Sequence, residues 1–276
     1  MIHEFLQPLT LGEATEMLNS HKDVKILAGG TDLLILLKDR VISCRYVMDI
    51  KKIPELNAFE KKEKGLEIGA AVDLNRLLAS DLTCGSYSIL KEAAHTHANS
   101  LLRNRATLIG NICNASPGGD MLPAALVLDG TLEAVSAKGN RIIPLREFFT
   151  GVKKHVLQPN EMVTKITFPE KHGKGIYLKK RRIKGHDLAQ VGVAAFWAAD
   201  GKLSFALGAV APTPILIDGL GPFDKAALEK AGGDLEKEVL GRINPISDAR
   251  SSKDYRVAMV KHFIGEIITK WTKEGV

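Results

Sequence analysis

The apolar positions along the chain change period several times, and each change marks an element. In residues 10–20, TLGEATEMLNS, Ala14, Met17 and Leu18 share one helical face behind a capping box formed by Thr10 and Glu13. VKIL (24–27) reads as a buried strand, TDLLILLKD (31–39) as a helix, RYVMDI (45–50) as a strand and IPEL (53–56) as a turn. Residues 1–57 thus predict a compact α/β piece. A lysine-rich exposed turn is expected at 60–65, then a strand at 66–70 and helices at 72–80 and 88–99. A glycine- and asparagine-rich region at 107–120 leads into MLPAALVLD (121–129), with strands at 131–137, 141–145 and near 161–168.

The polar segment PEKHGKG (169–175) predicts a domain boundary. Beyond it, 175–183, 190–200 and 202–210 alternate as consecutive antiparallel strands, and Asp200-Gly201 is a hairpin signal. APTPI (211–215) is expected to end the sheet, with the remainder helical. In the last helix, Val257, Val260, Phe263, Ile264, Ile267, Ile268 and Trp271 form a stripe suited to core packing.

Composition narrows the function classes. The 276 residues carry 38 Lys and Arg against 32 Asp and Glu, a net charge of +6. The basic and acidic residues are interleaved and aromatics are only 5%, so a nucleic-acid face is not expected. Cys44, Cys84 and Cys113 are too scattered to assemble a zinc site or an iron–sulfur cluster. No signal-peptide pattern opens the sequence, and no apolar run approaches the ~20 residues of a membrane span. A soluble cytoplasmic protein with reduced thiols is the expectation.

Two loops carry candidate chemistry. In VKILAGGTDLL (24–34) a strand runs into Gly29-Gly30 and then into a helix start. Glycine permits positive φ and close approach of a ligand to the backbone, and N–H groups at a helix start favour an anion. Lys25 adds charge, and Thr31 or Asp32 is a candidate helix cap. The same pattern also serves a plain structural turn. Neither GxGxxG nor GxxxxGK[ST] is present, which counts against the common dinucleotide and P-loop readings. The second region, RNRATLIGNICNASPGGD (103–120), has three Gly, three Asn, Thr107, Ser116 and Asp120. That density suits a polyol-plus-phosphate ligand or an irregular turn alike.

Together, LAGGTDLL and RNRATLIGNICNASPGGD closely resemble the two flavin-binding signatures of the FAD subunit of molybdenum hydroxylases. This family includes xanthine, aldehyde, nicotinate and carbon monoxide dehydrogenases. FLQPLTLGEATEML, VMDIKKIPEL, LEIGAAVDLNRL, FFTGVKK, NEMVTKITFP, GAVAPTPI and DARSSKDYR extend the resemblance over nearly the whole chain. It implies an α+β fold. A FAD-binding domain of the vanillyl-alcohol-oxidase or PCMH type would span 1–172, with subdomains of about 1–57 and 58–172. A C-terminal domain, a three-stranded antiparallel sheet with helices, would span 173–276.

The resemblance implies site residues as well. Lys25, Ile26, Leu27, Ala28, Gly29, Gly30, Thr31, Asp32 and Leu33 would hold the adenine side and the pyrophosphate of FAD. Thr107, Gly110, Asn111, Ser116 and Asp120, with Ala106, Cys113 and Gly119, would contact the pyrophosphate, ribityl and flavin parts. Met162 and Val163 match adenine neighbours, and Lys179 matches a lysine near the flavin's polar edge. No metal ligands and no catalytic acid, base or nucleophile stand out. The implied partners are a molybdenum-cofactor large subunit and a [2Fe–2S] small subunit in a dimer of heterotrimers. Electrons would pass through FAD to NAD or another acceptor. A flavin-free assembly subunit and a stand-alone flavoprotein reductase are the alternatives.

One position departs from the family pattern Thr-Ile-Gly-Gly-Asn: Ile109 occupies the place of the first glycine. A β-branched residue is costly at positive φ. The backbone there suits L-residues, or the loop has shifted, or FAD is held weakly. His95 and His97 read as surface or capping histidines, and the basic run 177–187 as a guarded strand edge, Lys179 apart. Leu188 stands where the CO-oxidising branch tends to carry an aromatic, which leans away from carbon monoxide dehydrogenase.

Overall fold

The computed structural model describes residues 4–183 and 185–273. Lys184 of the basic run and the extreme ends of the two expected domains lie outside the described residues.

The first piece is a parallel three-stranded sheet. It contains β1 (Glu4–Leu6), α1 (Leu11–Ser20), β2 (Val24–Leu27), α2 (Leu33–Lys38) and β3 (Tyr46–Asp49), in strand order β1-β3-β2. The Thr10 hydroxyl caps α1 by accepting the Glu13 N–H at 3.1 Å, and the Glu13 carboxylate reaches back to the Leu9 N–H. The parallel pairing explains why β2 must be followed by a crossover, so that its C-terminal loop emerges at the sheet end.

A five-stranded antiparallel sheet follows, in the order β4-β5-β10-β6-β7. Its strands are β4 (Phe59–Lys62), β5 (Gly65–Gly69), β6 (Thr131–Ser136), β7 (Gly139–Pro144) and β10 (Met162–Phe168). Between β5 and β6 run α3 (Leu74–Ala79), α4 (Ser88–Thr96), α5 (Ser100–Arg103), α6 (Leu108–Cys113) and α7 (Met121–Val127). A small ribbon, β8 (Phe149–Gly151) with β9 (Lys154–His155), precedes β10. Two expectations change here. The lysine-rich segment near 60–65 is in part an edge strand, β4, because its backbone pairs with β5 while Glu60, Lys61 and Lys62 stay in solvent. The region 107–120 contains a helix, α6, capped by the Thr107 hydroxyl.

The C-terminal sheet has four strands, not the expected three: β11 (Gly173–Lys180), β12 (Val191–Ala198), β13 (Leu203–Gly208) and β14 (Ile215–Leu220). APTPI therefore does not end the sheet. The chain turns there, and β14 adds antiparallel to the open edge of β13. Helices α8 (Lys225–Arg242) and α9 (Lys253–Lys273) complete the chain. Val193, Ala195, Trp197, Phe205 and Leu207 face these helices and form one core with Val260, Phe263, Ile264 and Trp271. Ala194, Phe196, Ala206 and Tyr177 face the other way, into the main core beneath α4 and α7. Both faces are covered, so β12 reads as an unbroken apolar run rather than an alternating one. On α9 the expected stripe holds except at Val257, which is half-buried; Arg256 is buried beside it.

Glu92 on α4 joins the two parts of the chain. Its carboxylate accepts the Tyr177 N–H of edge strand β11 at 2.7 Å. Burial pushes this carboxyl above its ordinary value, more than the Tyr177 N–H and the Lys270 charge pull it back. A carboxyl raised in the folded state contributes stability that is full below its unfolded value, near 4.5, and is lost as pH rises through its folded value. E92Q keeps an acceptor and removes the charge. Its urea midpoint is expected to match wild type below pH 4.5 and to exceed it at pH 7, and an equal difference at both pH values contradicts the assignment.

Candidate functional site

The first glycine loop leaves the end of β2, an edge strand of its sheet. Lys25 is exposed and makes no ion pair among the described residues. Ile26 is half-buried in the main core, whereas Leu27 packs with Cys44, Val47 and Leu33. The Ala28 carbonyl receives the Lys51 ammonium at 3.3 Å, and Asp49 holds that ammonium at 2.5 Å. Sequence reasoning missed this anchor, since nothing local marks Asp49 and Lys51 as partners of the loop. Gly30 has φ of +77°, the left-handed region.

Gly29 is constrained differently. A Cβ there would sink into the Arg105 carbonyl, with the carbonyl carbon 2.7 Å and the Ala106 Cα 3.0 Å away. What sits against Gly29 is the backbone of the second glycine region. Neither Thr31 nor Asp32 caps α2: Asp32 occupies the N-cap position, but its side chain makes no capping bond and its backbone is already helical. Among the described residues, nothing accepts a hydrogen bond from the N–H groups of Gly29, Gly30, Thr31 or Asp32.

The second region is pinned along its length. The Ala106 carbonyl accepts the Leu74 N–H at 2.9 Å. The buried Thr107 hydroxyl accepts the Gly110 N–H at 2.9 Å, and a Cβ on Gly110 would lie 2.8 Å from that oxygen. Ile109 lies in the first turn of α6, buried, without positive φ. The backbone at Ile109 therefore suits an L-residue. Asn111 spans the loop by accepting the Met121 N–H at 3.1 Å. A Cβ on Gly119 would meet the Leu122 side chain at 2.7 Å and Asn111 Oδ1 at 3.0 Å. Ala115 takes φ of +47°, and its carbonyl is fixed by the Lys153 N–H. The Ser116 carbonyl accepts the Gly119 N–H at 2.9 Å. Burial pushes the Cys113 thiol up to about 12, so it is a neutral thiol at neutral pH. Met162 and Val163 lie in the main core with Ile109, on the strand against which α6 packs.

At the end of this region Asp120 is the hub of a buried polar cluster. It pairs with Lys179 on β11 at 2.8 Å, and the two side chains are only 5% and 1% exposed. Lys179 also donates to the Thr96 carbonyl at 3.2 Å. The other Asp120 oxygen meets His97 Nδ1 at 2.9 Å. His97, placed at the C-terminal cap of α4, is a site residue that sequence reasoning did not select. Arg103 secures it by donating to its carbonyl at 2.9 Å. Tyr177 lies beside the same carboxylate. Burial first, and the Asp120 charge second, push its phenol well above the usual tyrosine range, so it stays neutral.

These residues fit a dinucleotide cofactor in kind. Four consecutive unpartnered N–H groups suit a pyrophosphate. The Lys179–Asp120 pair is neutral overall, so it offers a short-range, oriented dipole rather than a bare charge. A separate cavity of about 500 Å³ lies elsewhere, between the C-terminal end of α7 and the sheet face at Phe196, Ser204 and Leu216.

Comparison with known proteins gives the family of the chain. The family described as the FAD binding domain in molybdopterin dehydrogenase matches residues 2–171. A xanthine dehydrogenase FAD-binding subunit of Escherichia coli O157:H7 is 30% identical over 275 residues, covering 95% of this chain and 93% of its own. The carbon monoxide dehydrogenase medium chain of Hydrogenophaga pseudoflava is 30% identical over 273 residues, covering 95% and 94%. The solved structure of carbon monoxide dehydrogenase from Hydrogenophaga pseudoflava superposes with a TM-score of 0.87 at 28% identity, over 96% of each chain. Matched over most of its length by that family, and aligned almost end to end with these relatives, the chain belongs to the FAD-binding subunits of molybdopterin dehydrogenases.

Proposed function

We propose that this chain is the FAD-carrying medium subunit of a cytoplasmic three-subunit molybdenum hydroxylase. A molybdenum-cofactor large subunit oxidises the substrate, a [2Fe–2S] small subunit delivers the electrons, and NAD or another acceptor takes them away. The complex is a dimer of heterotrimers. FAD, when bound, supplies the exchange between single electrons and electron pairs.

The chain's own residues bind and orient. The N–H groups of Gly29, Gly30, Thr31 and Asp32 hold the pyrophosphate, and Leu27, Leu33, Met162 and Val163 give the adenine side apolar walls. Asn111, Ser116, Gly119 and Asp120 take the ribityl and flavin parts. Lys179, held by Asp120 and the Thr96 carbonyl, favours the more negatively charged form of the group lying against it. Residues 1–172 form the FAD-binding part, and 173–276 close it through β11.

The observation that carries this reading is the joining of the two glycine loops at Gly29 and Arg105, with four N–H groups left unpartnered beside the contact. The test is the visible absorption spectrum of the chain, alone and in its assembled complex, with FAD added and then desalted. An oxidised-flavin spectrum that survives desalting is expected. Absence of flavin from both samples overturns the reading and leaves a flavin-free assembly subunit.

A further inference from the structure

The DARSSKDYR segment (248–256) has no part in the site described so far, yet it ends in Arg256, a guanidinium only 3% exposed. A buried arginine is rare unless its donors are matched. Here the two terminal nitrogens are matched, largely by backbone, while Nε has no partner among the described residues. One nitrogen donates to the carbonyls of Gln190 and, at 2.9 Å, Ala209. The other donates to Asp248 at 2.8 Å. Asp248 also accepts the N–H groups of Arg250 and Ser251, and the Gln190 side chain donates to the Arg250 carbonyl, which closes the network.

The two carbonyls that Arg256 grips belong to the segments supporting the second glycine region. Ala209 donates its N–H to the Pro117 carbonyl at 2.6 Å. A Cβ on Gly208 would lie 3.3 Å from that same carbonyl and 3.2 Å from the Pro123 ring, and one on Gly118 would lie 3.5 Å from the Ala189 carbonyl. Ala209 takes φ of +63°, unfavourable for an alanine, and in that conformation it faces Pro117 with its N–H and Arg256 with its carbonyl. A strained residue held from both sides indicates that the position of this contact is imposed by its surroundings.

We infer that Arg256 is a positioning residue for the cofactor loop: by clamping Gln190 and Ala209 it fixes Pro117 and Gly118, and through them Ser116 to Asp120. The inference rests on the proposed FAD site. Lysine is not an equivalent, because one ammonium lacks the planar fork that serves three acceptors in fixed directions.

The test compares R256K and R256M with wild type in the full chain, at a temperature where circular dichroism shows each to be folded. Hydrogen exchange of the amides of Ala115, Ser116, Gly118, Gly119 and Asp120 and the Kd for FAD are measured. Both variants are expected to exchange faster across 115–120 and to bind FAD about tenfold more weakly, the equivalent of one lost hydrogen bond. Unchanged exchange at 115–120 in folded R256K overturns the inference and leaves Arg256 a purely structural residue, as does unchanged FAD affinity in a wild type that binds FAD. The exchange arm needs no FAD. If the wild-type chain binds none, the cofactor reading fails by itself while exchange still decides whether Arg256 positions the loop.

Discussion

G29A is expected to lose FAD on desalting and to lower the unfolding midpoint of the cofactor-free chain, more severely than G30A. The two glycines are constrained for different reasons. Gly30 has φ of +77°, and a Cβ there would meet mainly the ends of the Leu27 and Leu34 side chains, which can move. Alanine at Gly30 therefore costs about 1 kcal/mol of backbone strain. Gly29 has no positive φ, but its Cβ would occupy the Arg105 carbonyl, which is backbone and cannot rotate away. Relief requires the two glycine regions to separate. Overpacking of this kind costs about 1–3 kcal/mol, and here it also displaces the loop proposed to hold the pyrophosphate. Thermal unfolding without FAD and a fluorescence titration with FAD measure the two effects. If G29A keeps the wild-type midpoint and affinity, the loop contact is not a constraint.

The second large effect concerns Asp120 and Lys179. Each side chain is almost wholly withdrawn from water, so removing one leaves the other charged and poorly solvated. D120N and K179M are each expected to cost about 3–5 kcal/mol in urea unfolding. Neither loss is the worth of the pair alone. Lys179 without Asp120 retains only the Thr96 carbonyl, and Asp120 without Lys179 retains only His97. Each keeps one partner, so the two variants should fall in the same range. The double variant should lose less than the sum, with a coupling of about 2 kcal/mol. Strict additivity in the cycle would mean that the two side chains do not interact in solution. K179M should also shift the midpoint potential of bound FAD to a more negative value, measured by spectroelectrochemistry, because it removes the cation and leaves the carboxylate.

Elements governed by near neighbours were legible in the chain. Thr10 and Glu13 mark the start of α1 because a capping box acts across three residues. Asp200-Gly201 marks a hairpin because Gly201 takes the positive φ that closes a three-residue turn between Ala198 and Lys202. The apolar stripe of α9 follows from helical period alone. α6 was not legible. It is six residues long and contains Gly110 and Asn111, and it is held by the Thr107 cap and by packing on β10. β14 was hidden for a related reason: ILIDGL after a proline-rich turn is a strand only because the edge of β13 is open to it.

The candidate site divides in the same way. The sequence by itself determined the two glycine regions, their order and their family, because backbone freedom and turn chemistry are written in residue type. It also showed that Thr107, Asn111 and Asp120 carry polar groups at fixed spacing. Only the tertiary structure decided what each position faces. Gly29 lacks a Cβ because Arg105 lies against it, Ile109 is tolerated because its backbone is helical, and Asp120 is anchored by Lys179 and His97 from two other elements. These contacts join residues far apart along the chain. Their cost and benefit depend on distance, burial and direction after packing, and none of these is a property of the residues taken in order.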